Sequence, residues 1–153
     1  MTLSKKDISI LETFNKLGLT KVFTNGCFDL LHPGHLQYLQ EAKDLGDVLI
    51  VGINSDTSVK KLKGPSRPIN DQDSRAVMLS SLKMVDHVIV FNEETPLELI
   101  EAIMPDVLVK GGDWTIDKII GADLVIENGG IVKSLTFKEG YSTTSIIEKI
   151  KNL

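Results

Sequence analysis

A single cysteine, Cys27, leaves the chain without a partner for an intrachain disulfide and fits a reducing compartment. No apolar run approaches the roughly 20 residues that span a bilayer. The N-terminus, with Lys5, Lys6 and Asp7, lacks the apolar core of a secretory signal. Neither sign of charge dominates: 17 Lys and Arg against 21 Asp and Glu give a net charge of −4, which argues against broad nucleic-acid binding. Internal repeats, low-complexity tracts, a domain linker and a Gly-Lys-Ser/Thr phosphate loop are all missing. What remains is an ordinary globular composition, 42% hydrophobic and 25% charged, long enough at 153 residues for one domain with a real core. The expectation is one cytoplasmic domain over 1–153, with an N-terminal helix in 1–19 and a core in 20–153, and neither nucleic acid nor membrane as partner.

The pattern along the chain is strand alternating with helix. Ser4 can cap a helix carrying Ile8, Leu11, Phe14 and Leu17 on one face, ended by Gly18. Strands are expected at Lys21–Thr24, Val48–Ile53, His87–Phe91, Asp106–Lys110 and Ile131–Phe137. The second is a continuous apolar run, as in a strand buried on both faces of a parallel sheet. Helices are expected from the residues around His35 to about Leu45, from Asp73 with Val77, Met78, Leu82 and Val85 inward, from Thr95-Pro96, near Gly121–Asn128, and over Ile146–Leu153. Residues 55–71 read as a polar loop. This alternation implies βαβ units: an α/β fold, Rossmann-like, with an open parallel five-stranded sheet and helices on both faces.

Two of the three histidines fall in one stretch, Thr24-Asn25-Gly26-Cys27-Phe28-Asp29-Leu30-Leu31-His32-Pro33-Gly34-His35. It joins the end of a strand, a glycine turn and a helix entry at Pro33-Gly34. Unpaired N–H groups and the positive end of the dipole make such a helix start attractive to phosphate. Two imidazoles there can donate hydrogen bonds to phosphate oxygens and stabilise charge during phosphoryl or nucleotidyl transfer. A metal site would need ligands beyond His32, His35 and Asp29, and only Cys27 and the distant His87 are on offer, so no metal ligand is assigned.

Ligands of open α/β sheets bind beyond the carboxyl ends of the strands. Gly26–His35, 54–67, Gly111–Trp114 and Gly140–Ser145 all fall at that edge. Ser142-Thr143-Thr144-Ser145 precedes an apolar helix, so one hydroxyl there is a cap, and the others could hold phosphate. Lys60, Lys61 and Lys63, then Arg67, form a positive segment suited to phosphates or simply to solvent. Arg75, a cation at a helix start, either pairs with Asp29 or Asp56 or reaches into the site. Asp113 could bind substrate hydroxyls or a base edge, and Trp114 could pack on the ligand or on the core.

The segment Gly-Cys-Phe-Asp-Leu-Leu-His-Pro-Gly-His resembles the HxGH signature of the cytidylyltransferase-like nucleotidyltransferase superfamily, and the Ser-Thr turn at 142–144 resembles its second signature. The resemblance implies that His32 and His35 stabilise the transition state at the α-phosphate. It also implies that a loop lysine, best Lys63, closes on the phosphates, and that Mg²⁺ assists. By the same resemblance Asn25, Gly26, Cys27, Phe28, Gly34, Lys110, Gly111, Asp113, Ser142, Thr143 and Thr144 would bind the nucleotide, with Asp29, Lys61, Arg67, Arg75 and Trp114 toward the substrate. Further segments, among them Leu62-Lys63-Gly64-Pro65-Ser66-Arg67-Pro68-Ile69-Asn70 and Leu108-Val109-Lys110-Gly111-Gly112-Asp113, resemble the adenylyltransferases that join ATP to D-glycero-β-D-manno-heptose 1-phosphate and give ADP-heptose. Glycerol-3-phosphate cytidylyltransferases are similar in the two signatures but usually carry an arginine where this chain has Phe137. An FMN adenylyltransferase and a non-catalytic nucleotide-binding regulatory module on the same fold are also open at this point. On this resemblance the partners are ATP and a sugar 1-phosphate, a second copy in a homodimer, and a separate heptose kinase and phosphatase upstream, with the product feeding lipopolysaccharide or another surface polysaccharide.

Overall fold

The computed structural model describes residues 3–136 and 140–153. Its strands are β1 (Lys21–Gly26), β2 (Val48–Asn54), β3 (His87–Phe91), β4 (Val107–Gly111) and β5 (Ile131–Leu135). They lie in the order β3-β2-β1-β4-β5 with every pairing parallel. The helices are α1 (Lys5–Lys16), α2 (Pro33–Lys43), α3 (Asp56–Lys63), α4 (Gln72–Ser80), α5 (Leu97–Ile103), α6 (Ala122–Glu127) and α7 (Thr143–Lys151). None of them is long and apolar enough to cross a membrane.

Strand residues alternate between two apolar layers, as the pleat requires. Phe23 and Ile50 pack with Leu11 of α1, Ile100 and Ile103 of α5 and Val125 of α6. Val22, Leu49 and Val51 pack on the other face with Leu39 and Ala42 of α2 and Leu79 of α4. All seven residues of β2 are buried, which is why Val48–Ile53 is a continuous apolar run rather than an alternating one. The chain winds outward from β1 to β3 and then returns to place β4 on the free side of β1. That reversal leaves a crevice beyond the carboxyl ends of β1 and β4.

Several sequence expectations are corrected. Residues 56–63 form a helix, not a loop: Ser55 caps it by accepting from the Ser58 amide, Asp56 opens it, and Lys60, Lys61 and Lys63 in its last turn complement the negative end of the dipole. Only Val59 is an apolar anchor there, so hydrophobic periodicity carries no sign of it. In α1 only Leu11 is buried, and Leu17 is mostly exposed. In α4 the inward residues are Arg75 and Leu79, while Val77 faces solvent. Helix α7 starts three residues earlier than expected, capped by Ser142, and none of its residues is buried. A 3-10 turn at Ile116–Lys118 adds an element that the sequence pattern does not announce. Strand β5 ends at Leu135, and Phe137 lies outside the described residues.

Candidate active site

A cavity of about 590 Å³ opens over the carboxyl ends of the central strands. It is lined by Asn25, Gly26, Cys27, Phe28 and Asp29 after β1, His35 of α2, Lys63 and Arg67, Lys110, Gly111 and Trp114 after β4, and Thr143 and Thr144 of α7. His32, Gly34, Lys61, Arg75, Asp113 and Ser142 do not line it. Tyr38, Asn54, Leu62, Glu94, Pro96 and Ile120 complete the wall and were missed by sequence reasoning.

The helix entry sets the two histidines. Extended backbone at His32 turns its ring back over the first turn of α2, where Nδ1 accepts from the His35 amide at 3.3 Å. That bond fixes the neutral tautomer of His32 with its proton on Nε2. The rings stack, with centroids 3.8 Å apart and planes 25° from parallel. The ring of Tyr141 lies nearly parallel to that of His32, with centroids 6.3 Å apart and planes at 18°. Gly34 makes the arrangement possible, because a Cβ there would stand 3.0 Å from His32 Nδ1 and 3.3 Å from Tyr141 Cβ. Burial, reinforced by the neighbouring imidazole, pushes the pKa of His35 down to about 4, and burial also lowers that of His32. His35 is therefore neutral at neutral pH. Its Nδ1 is buried and has no hydrogen-bond partner among the described residues.

Phe28 holds φ at +47° with its side chain buried, a strained conformation for a non-glycine residue. Its ring lies 5.2 Å from that of His35 and covers Gly26, where a Cβ would approach it to 3.0 Å. Beside it the buried Asp29 carboxylate accepts from Arg67 Nε at 2.6 Å and from the amides of Ile69 and Asn70 at 2.8 and 2.9 Å. Burial alone would raise the pKa of Asp29, but the two amides and the guanidinium outweigh it and hold the carboxyl below its usual range. The loop that carries Arg67 is thereby fastened to the segment that carries the histidines. Among the described residues Arg67 uses only Nε of its side chain, which leaves the terminal nitrogens for an anion.

Arg75 takes the ion pair with Asp56, not the route into the cavity. It is fully buried, with Nη2 donating to Asp56 at 2.8 Å, Nη1 to the Cys27 carbonyl at 2.7 Å and Nε to the Asn70 carbonyl at 3.0 Å. Lys61 sits one residue after Lys60 and two before Lys63 on α3, and at 100° per residue Lys61 and Lys63 cannot share a direction. On the β4 side Lys110 stands 5.7 Å over the Trp114 ring, and Trp114 Nε1 donates to the Gly111 carbonyl at 3.1 Å. Burial lowers the Lys110 pKa, with Cys27 opposing. Burial raises that of Cys27 despite Lys63, so the Cys27 thiol is not activated. Deep in the floor Tyr38 pairs with Thr24 and is pushed up to about 12, chiefly by burial, so it stays a neutral phenol. The starts of α2 and α7 meet where Thr143 Oγ1 donates to the Leu30 carbonyl at 3.3 Å. Two helix N-termini, three cations and an unpartnered neutral imidazole around one cavity suit a polyphosphate.

Comparison with known proteins agrees. The bifunctional protein HldE of Syntrophotalea carbinolica is 54% identical over 141 residues, 92% of this chain and 29% of that protein. That of Helicobacter pylori is 54% identical over 142 residues, 93% of this chain and 30% of its own length. The chain thus spans less than a third of these relatives. A solved structure, the lipopolysaccharide core biosynthesis protein from Thermoplasma volcanium, is 34% identical with a TM-score of 0.63, covering 82% of this chain and 100% of that one. A family model described as cytidylyltransferase-like matches residues 23–149. Because that match runs from β1 into α7 and takes in both histidines and the Ser-Thr turn, the chain belongs to the cytidylyltransferase-like family of nucleotidyltransferases.

Proposed function

We propose that the chain transfers AMP from ATP to D-glycero-β-D-manno-heptose 1-phosphate, giving ADP-heptose and pyrophosphate. The observation that carries the reading is the stacked, neutral His32–His35 pair at the start of α2, with His35 Nδ1 unpartnered beside the cavity. The choice of acceptor is supported by the likeness of 62–70 and 108–113 to ADP-heptose-forming enzymes and by the identity to bifunctional HldE proteins. A structural neighbour from lipopolysaccharide core biosynthesis supports surface polysaccharide as the destination. The kinase and phosphatase steps that supply the 1-phosphate lie outside these 153 residues. A cytoplasmic homodimer is part of the same proposal.

In this mechanism an oxygen of the sugar phosphate attacks the α-phosphorus in line. The bond to the bridging oxygen of the β-phosphate breaks, and pyrophosphate leaves with the electron pair. His35, which lines the cavity, donates an N–H hydrogen bond to the phosphate oxygens as charge shifts toward the leaving group. His32, stacked on it at the helix start, adds a second donor from behind the cavity wall, which is electrostatic stabilisation by donors already in place. The terminal nitrogens of Arg67 and the Lys63 ammonium hold the attacking phosphate, while the Thr144 hydroxyl and the open amides of α7, that of Thr143 among them, receive the leaving group. Asn25–Phe28, Lys110, Gly111 and Trp114 flank the nucleoside. Mg²⁺ would neutralise part of the triphosphate charge. Asp29 is engaged by its loop, and no cluster of three His, Cys, Asp or Glu side chains suited to a metal occurs among the described residues, so its ligands would come from phosphate oxygens and water.

Pyrophosphate release by the purified protein, crossing ATP and CTP against heptose 1-phosphate, glycerol 3-phosphate and FMN, tests the reading. Release with ATP and heptose 1-phosphate alone, lost in His35→Ala, is the expected result. Release with CTP and glycerol 3-phosphate would overturn the acceptor, and nucleotide binding without release from any pair would overturn the activity.

A further inference from the structure

The charged lining of the cavity is unequal. Lys63, Arg67 and Lys110 face two carboxylates, Asp29 and Glu94. Asp29 is engaged by Arg67 and two backbone amides. Glu94 makes no hydrogen bond or ion pair among the described residues. The backbone leading to it is nonetheless held in place. The loop after β3 is fastened to the start of α3 on both sides of the bend: the Ser55 amide donates to the Phe91 carbonyl at 2.8 Å, and Ser58 Oγ donates to the Glu93 carbonyl at 3.1 Å. The Asn92 amide donates to the Glu93 carboxylate at 3.0 Å, which turns that side chain back on its own loop and leaves Glu94 as the acid presented to the cavity.

A carboxylate in a chamber built for phosphates repels them, so it is tolerated only where the ligand offers donors. In-line attack decides where that is. On the adenylyl-transfer reading the leaving pyrophosphate takes the starts of α2 and α7, so the attacking group comes from another part of the cavity wall, and the lining residues that follow β2 and β3 remain to receive it. Glu94 follows β3, and Lys63 lies on the helix after β2. An acceptor whose phosphate rests on Lys63 and Arg67 therefore extends the rest of its body toward Glu94. We propose that Glu94 reads that body: its carboxylate accepts hydrogen bonds from hydroxyls of a polyhydroxy acceptor, making Glu94 the residue that selects a sugar phosphate over a phosphate borne on an apolar or anionic group. The inference rests on the adenylyl-transfer reading above and adds to it the element that recognises the acceptor.

Steady-state pyrophosphate release by the full chain, with heptose 1-phosphate varied at saturating ATP and ATP varied at saturating sugar, is the test. In Glu94→Ala the KM for the sugar phosphate is expected to rise about 10-fold or more, the usual worth of a hydrogen bond to a charged group, with the KM for ATP unchanged. Glu94→Gln, which keeps one acceptor oxygen, should fall between. Single-deoxy sugar 1-phosphates supply a readout that a structural role would not move: the wild type loses affinity on removal of the hydroxyl that is read, and Glu94→Ala loses nothing further. An unchanged sugar KM in both variants would overturn the proposal, and so would a rise confined to ATP, which would assign Glu94 to the adenine amino group. Wild-type turnover only with glycerol 3-phosphate would overturn the heptose reading alone, and the same variants then test Glu94 on that polyol. A wild type inactive with every polyol phosphate would overturn both.

Discussion

Gly34→Ala isolates the geometry of the histidine pair from its chemistry, because it alters neither imidazole. The added Cβ would stand 3.0 Å from His32 Nδ1, 3.1 Å from Cε1 and 3.3 Å from Tyr141 Cβ, all inside ordinary contact distance. The His32 ring has little room to yield, since it is buried, with the His35 ring 3.8 Å away and the nearly parallel Tyr141 ring at 6.3 Å. A withdrawal of about half an ångström stretches the 3.3 Å bond from the His35 amide past hydrogen-bond range and turns Nε2 away from its working direction. Overpacking of this kind costs about 1–3 kcal/mol, and replacing a helical glycine by alanine returns up to about 1 kcal/mol, so net stability should fall by no more than about 2 kcal/mol.

Activity should fall much further. A misplacement approaching 1 Å in a catalytic group costs about 100-fold in rate, and the loss should appear in kcat because the ground-state contacts to sugar and base are untouched. Urea unfolding together with pyrophosphate release separates the two effects. A folded Gly34→Ala protein whose kcat stays within about 3-fold of wild type would refute the reasoning, since the stack would then not be what aligns the histidines.

The other predictions concern what holds that stack and the loop opposite it. His35 falls from 6.5 in the unfolded chain to about 4 in the fold, so the unfolded state binds more protons between those values. Stability is full above pH 6.5 and is lost as pH falls toward 4, by at most about 3 kcal/mol, and His35→Gln should flatten that limb in unfolding midpoints taken at pH 7 and 5. Asp29→Asn leaves Arg67 without its buried partner and should cost about 3 kcal/mol in urea unfolding while raising the KM for the acceptor. Asp29 is held below its usual value, so its contribution is present above pH 4 and fades below, and the variant should lack that acid-side loss. Tyr141→Ala should lower kcat by about 2- to 10-fold, the worth of one aromatic contact, with Tyr141→Phe restoring it. Failure of phenylalanine to rescue would assign the effect to the hydroxyl.

The elements readable from sequence are those whose neighbours are guaranteed. Strand β2 touches helices on both faces, so Val48–Ile53 must be apolar and the run announces itself, while Asn54 at its end turns to the cavity. Helix α3 has one apolar anchor and three lysines, and its signal is the cap at Ser55 and the charge gradient along its length, not a hydrophobic face. Arg75 is ambiguous in sequence for a related reason. A cation in the first turn of a helix opposes the dipole, and only the fold shows that Asp56 and two carbonyls surround it completely. The HxGH segment is legible because its function is local: the cap, the turn and both rings lie within four residues. Glu94, Tyr38 and Asn54 reach the same cavity from three different elements, and no spacing in the chain records that convergence.

The run of four hydroxyls shows how far the bland and the functional readings can both hold. Ser142 Oγ accepts from the Ser145 amide at 3.0 Å, which is capping and nothing more. Ser145 Oγ returns to the Ser142 carbonyl at 2.8 Å, and Thr143 Oγ1 fastens the turn to the Leu30 carbonyl. Three of the four hydroxyls are therefore engaged in building the turn and docking it against the segment that carries His32. Docking of that kind is needed, because α7 buries no residue of its own and has little else to hold it. The Thr144 hydroxyl alone makes no hydrogen bond among the described residues, and Thr144 lines the cavity at the open end of α7. The arrangement is thus a scaffold of three side chains that presents one hydroxyl and the open amides of a helix start, the donor set a phosphate group requires.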